Sequence, residues 1–62
     1  MKVRDLIRRL EKEGWYISRI RGSHRQFRHP RRRGTITVAG KPSGDMPIGT
    51  LHEILRKSGL NK

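Results

Sequence analysis

The sequence predicts an α+β domain of order α-β-β-β-α, a three-stranded antiparallel sheet with two helices on one face. Three observations carry that expectation. Val3, Leu6, Ile7 and Leu10 recur at i, i+3, i+4 and i+7, which is one face of a helix. Three short stretches rich in β-branched or aromatic residues lie between positions 15 and 39, separated by breaks containing Gly and Pro. A second helical stripe, Leu51, Ile54 and Leu55, follows a Gly- and Pro-rich loop. Two helices can shield only one face of such a meander, so the other face is expected to stay open.

The first helix is expected over roughly residues 2–13, with Arg4, Arg8, Arg9, Glu11 and Lys12 on its polar sides. Gly14 then supplies a residue that tolerates positive φ at the helix end. Residues 15–20 read as a strand. Trp15, Ile17 and Arg19 are expected on one side of it and Tyr16, Ser18 and Ile20 on the other, although the alternation of polarity is imperfect. Arg21-Gly22-Ser23 is a turn, and residues 25–29 form a second strand anchored by Phe27. Residues 30–34, Pro-Arg-Arg-Arg-Gly, form the next turn, and residues 35–39 a β-branched third strand. Residues 40–49 are a loop. Thr50 and Glu53 have the spacing of a capping box at the start of the second helix, and Gly59 stops it, with Leu60 folding back. The expected core is Leu6, Ile7, Leu10, Trp15, Ile17, Phe27, Ile36, Val38, Leu51, Ile54 and Leu55.

Composition narrows the function classes. The 62 residues allow one domain, spanning 1–62, with a small core. Sixteen Lys and Arg against five Asp and Glu give a net charge of +11. Such a surface attracts polyanions, and Arg binds phosphate better than Lys does. There is no Cys, which excludes disulfides and thiolate metal sites. The charged opening residues do not resemble a secretion signal, and no apolar run is long enough to span a membrane, so a cytoplasmic protein without membrane or small-molecule cofactor is expected. The acidic residues are too few and scattered for paired-carboxylate catalysis. No nucleotide-binding glycine loop is present. His24 and His29 lack neighbouring ligands that would make them a metal pair, so no metal is expected.

Four stretches stand out: Leu10-Glu11-Lys12-Glu13-Gly14-Trp15, then Gly22-Ser23-His24-Arg25-Gln26-Phe27, then His29-Pro30, and the closing run from Pro47-Ile48-Gly49-Thr50-Leu51 to Lys57-Ser58-Gly59-Leu60. They resemble the HicA family of toxin ribonucleases, whose fold is similar to that of double-stranded-RNA-binding domains. Together they span nearly the whole chain in the family's order. The resemblance implies a toxin that cleaves mRNA and is silenced by a HicB-type antitoxin encoded beside it. It implies that His24 is the catalytic residue. In one place the chain departs from the family, whose members often carry a second His after the third strand. Here that stretch reads Val38-Ala39-Gly40-Lys41-Pro42. Lys41 can replace the charge of that His but not its proton cycling near neutral pH.

Elementary chemistry agrees with that implication. RNA carries its own nucleophile, the 2′-OH. Cleavage without a metal needs a proton acceptor, a proton donor, and cations around the phosphorane. His serves as acid or base near neutral pH, and Arg or Lys stabilises the charge. Arg19, Arg21, Arg25 and Arg28 flank His24 in sequence and are the first candidates for RNA contact, followed by Arg31, Arg32, Arg33 and Lys41. Gly22 permits a tight turn and close approach of RNA, while Ser23 either orients His24 or caps that turn. Trp15 and Phe27 are expected in the core, and Tyr16 is left open between core and base stacking. The competing reading is a non-catalytic RNA-binding module of the same fold. A third is a basic protein whose main partner is an acidic protein.

Overall fold

The computed structural model describes residues 1–60, and their order is α-β-β-β-α: α1 Val3–Lys12, β1 Tyr16–Arg21, β2 His24–His29, β3 Arg32–Val38 and α2 Ile48–Ser58. The strands form one antiparallel sheet in the order β1-β2-β3. The core joins Val3, Leu6 and Leu10 of α1 to Trp15, Phe27, Ile36, Val38, Met46 and Ile54, with Ile7, Leu51, Leu55 and Leu60 packed at its margin. Every strand residue in that cluster belongs to β2 or β3.

Ile17 was expected in the core and is not there; it is 39% exposed, and Ile20 is 61% exposed. Their position explains this. β1 is an edge strand, and the buried helix residues converge on Phe27, Ile36 and Val38 instead. The facing of β1 also differs from simple alternation. Ile17 pairs with Phe27 but Arg19 pairs with Gln26, so Ser18 is an extra residue in a β-bulge. Its hydroxyl donates to the carbonyl of Gln26 at 3.2 Å. Beyond the bulge the side chains are re-aimed. Arg19 and Arg21 join Tyr16 on the open face, whereas Ile20 turns to the side of Ile17.

Long-range contacts complete α1. No side chain caps its N-terminus; instead the N–H groups of Val3 and Arg4 donate to the carbonyls of Gly44 and Pro42 at 2.8 and 3.0 Å. The loop after β3 thus lies against the start of the chain, reinforced by a Lys2–Asp45 bridge. This is why Val3 and Met46 enter the core, two positions absent from the expected list. At the other end of α1, Gly14 adopts φ +99°, and a Cβ there would sit 2.8 Å from the His29 ring. Trp15 is buried before β1 begins rather than within it, and its indole N–H finds no acceptor among the described residues.

α2 begins earlier than the capping box suggested. Ile48 is its first residue, Pro47 is the N-cap, and no side chain caps it, so Thr50 lies inside the first turn. The fixed φ of Pro47, −58°, suits the entry to a helix and supersedes the Thr50 signal. Its C-terminal end follows expectation: Gly59 is left-handed with φ 81°, and Leu60 packs against the core. β3 also starts earlier than expected, so Arg32, Arg33 and Gly34 belong to the strand and the turn shrinks to Pro30 and Arg31.

Candidate nucleic-acid interface

The sheet has one covered and one open face, and the register sorts its side chains between them. Cross-strand partners share a face. Phe27 pairs with Ile17 and Ile36, and all three lie on the helix side. His24, Gln26 and Arg28 therefore project from the opposite side of β2. Their partners on β1 are Arg21, Arg19 and Tyr16. His24, Arg21, Arg19, Arg28 and Tyr16 are all exposed there, and Gln26 is half-buried between its neighbours.

The turn beside His24 is built by Gly22, whose φ is 60°. Gly at the first central position with an ordinary φ at Ser23 is the pattern of a two-residue hairpin that matches strand twist. The turn sets Arg21 directly opposite His24, with Cβ atoms about 4.5–5.5 Å apart for such a pair. A Cβ on Gly22 would meet nothing within 4 Å, so positive φ, not crowding, explains the glycine.

The electrostatics of the sheet are one-signed. Residues 16–38 contain seven Arg and no Asp or Glu. Asp5 and Glu11 belong to α1, Glu13 follows it, Asp45 lies in the loop and Glu53 in α2. No carboxylate from the strands competes with a phosphate at this face.

The candidate arginines are not equivalent. On the open face Arg21 stands opposite His24, Arg19 is next along the ladder opposite Gln26, and Arg28 lies at the ladder's other end. Arg25 is half-buried on the helix side, and its guanidinium donates to the carbonyl of Gly40 at 3.1 Å, tying the loop to β2. Arg31, Arg32 and Arg33 stand at the far end of β2, about 17 Å along the strand from His24. Arg32 pairs with His29 on the helix side, and its guanidinium covers Gly59 so closely that a Cβ there would collide with it. A cation at that place suits the C-terminal end of α2. Lys41 is exposed in the loop that leaves β3 just past Val38, the partner of Arg25.

The three histidines separate by environment. His29 uses both ring nitrogens: Nε2 donates to the carbonyl of Glu13 at 2.9 Å, and Nδ1 accepts from the N–H of Arg31 at 3.0 Å. Its ring also meets Trp15 edge-on at 5.2 Å. It braces the β2–β3 turn against the end of α1. His52 is exposed on α2. His24 alone stands among the arginines of the open face. The groove between β3 and α2, lined by Thr35, Ile36, Thr37, Thr50, Glu53 and Ile54, does not include His24. An exposed sheet face suits a polymer better than a small molecule, which favours an enclosed pocket. Among the described residues no group of three His, Asp or Glu is placed to hold a metal, and no helix is long and apolar enough to cross a membrane.

A small basic α-β-β-β-α domain with an arginine-rich open sheet is the class these features define. Residues 3–60 match the HicA toxin of bacterial toxin–antitoxin systems, which is nearly the full chain. The chain belongs to the HicA toxin family, and is thus a toxin with an antitoxin for its partner. A search of curated proteins found no match.

Proposed function

We propose that this toxin is a metal-independent endoribonuclease of mRNA, with His24 as its catalytic residue and a HicB-type antitoxin as its inhibitor. The observation that carries this reading is the placement of His24 directly opposite Arg21 on a sheet face without carboxylates. A phosphodiester lying there meets one group able to move a proton and several able to hold negative charge. The 2′-OH attacks phosphorus, and the bond to the 5′ oxygen breaks. His24 serves this exchange as the base for the 2′-OH or the acid for the leaving oxygen. Arg21 and Arg19 stabilise the phosphorane, and Arg28 holds the strand further along β2. Gly22 and Ser23 set the turn that presents His24.

The products are a 2′,3′-cyclic phosphate and a 5′-OH. End-group analysis of cleaved RNA tests this directly. A 3′-OH product contradicts the mechanism, as does cleavage of RNA whose 2′-OH groups are methylated.

Silencing follows from the same surface. An acidic antitoxin that covers His24 and the arginines of β1 and β2 removes both the proton carrier and the phosphate contacts. Protection of this face from chemical footprinting in the complex is the expected result. Contacts confined to other surfaces contradict it.

A further inference from the structure

Resting on the reading of the open sheet face as the RNA surface, we infer that this face takes RNA as an unpaired strand, with Tyr16 as the platform on which one base stacks. The three aromatic side chains divide sharply. Trp15 is 2% exposed and Phe27 is 0% exposed, while Tyr16 is 51% exposed. The small core therefore consumes two aromatics and leaves the third on the face that carries His24. Tyr16 pairs with Arg28, and Arg21 pairs with His24, at opposite ends of the β1–β2 ladder. The two pairs are separated by about 13 Å along the strands, with Arg19 and Gln26 between them.

That row supplies each element of single-strand recognition. Arg19, Arg21 and Arg28 match the charge of a phosphate backbone, and no acidic side chain lies on the strands to oppose them. An aromatic ring beside an arginine offers a stacking surface to any base. Gln26 has both a donor and an acceptor, which can meet a base edge. A duplex keeps its bases stacked inside, out of reach of a ring on the surface of a sheet. Tyr16 thus distinguishes unpaired from paired RNA, and its fixed distance from His24 sets which phosphate reaches the histidine.

The test is binding by fluorescence anisotropy to a short 2′-O-methylated RNA, which lacks the nucleophile, offered alone and annealed to its complement. The native chain, Tyr16→Phe and Tyr16→Leu are compared across a salt series, with Trp15 fluorescence reporting that each is folded. The native chain and Tyr16→Phe are expected to prefer the unpaired strand. Tyr16→Leu is expected to lose about tenfold in affinity for the unpaired strand and little for the duplex. Its salt dependence should be unchanged, because no phosphate contact is removed. Equal affinity of Tyr16→Leu and the native chain for the unpaired strand overturns the inference, as does native binding that favours the duplex. Because the modified RNA cannot be cut, these results are independent of whether His24 cleaves.

Discussion

The two faces of β2 differ in what they demand of a side chain. On one, Phe27 is fully buried between two other strands and beneath the helices. On the other, His24 and Arg28 stand in the open two residues either side of Gln26. Packing dictates the first face, since an interior transmits any change of volume. Nothing in the fold requires the second. Its row of arginines brings like charges together, which folding does not explain and the proposed chemistry on a polyanion would.

The largest effect should come from the packed face. Phe27→Ala should cost about 3–5 kcal/mol, enough to leave so small a domain largely unfolded. Thermal unfolding followed by circular dichroism measures it. A variant that melts like the native chain would break the assignment of stability to the covered face.

His29→Ala should come next, costing about 1–3 kcal/mol through the loss of its two hydrogen bonds and its contact with Trp15. Cleavage per folded molecule should be unaltered. Loss of cleavage in a folded His29→Ala protein would move the chemistry away from the open face.

A pair of arginine variants sharpens the contrast further. Arg25→Ala removes the bond to Gly40 and should lower stability by about 1 kcal/mol. Arg28→Ala should leave the melting curve within about 0.5 kcal/mol of native, yet reduce the slope of log affinity for RNA against log salt by about one. Exchange of these two outcomes would mean that the faces have been misassigned.

Deleting Ser18 should disturb neither the fold nor RNA binding strongly. As the extra residue of a bulge, it can be lost while Ile17 and Ile20 stay on one side and Arg19 and Arg21 on the other. Stability should change by about 1 kcal/mol or less, and RNA affinity by less than about threefold. A collapse of RNA binding in a folded deletion variant would show that the bulge itself shapes the site.

These expectations also mark where sequence was informative. The helices were readable because Leu6 and Leu10 repeat at helical spacing, and the Gly22 turn because a two-residue hairpin needs positive φ. The candidate chemistry at His24 was not legible in spacing or turn geometry; it came from the resemblance of Gly22-Ser23-His24 to the HicA family and stands as a proposal. What escaped depends on distant parts of the chain. Val3 and Met46 become core only because the loop at 42–46 hydrogen-bonds with the chain's first residues. Arg32 and Arg25 look alike in sequence to Arg28, yet one covers the end of α2 and the other anchors a loop. The irregular alternation around Ile17-Ser18-Arg19-Ile20 was the one visible trace of the bulge, but periodicity alone could not locate it. Pro47 outweighed the Thr50 capping signal because it lies at the point where the loop must turn into the helix.

The proposed function puts the proton chemistry in His24 and leaves stability to the other face of the sheet. The most direct measurement is incubation of the native chain and His24→Ala with a long unstructured RNA in the presence of EDTA. The expected result is cleavage by the native chain, a loss of about 10²- to 10⁴-fold in the variant, and an unchanged melting curve. Equal cleavage by both proteins, or none by either while both bind RNA, would contradict the claim.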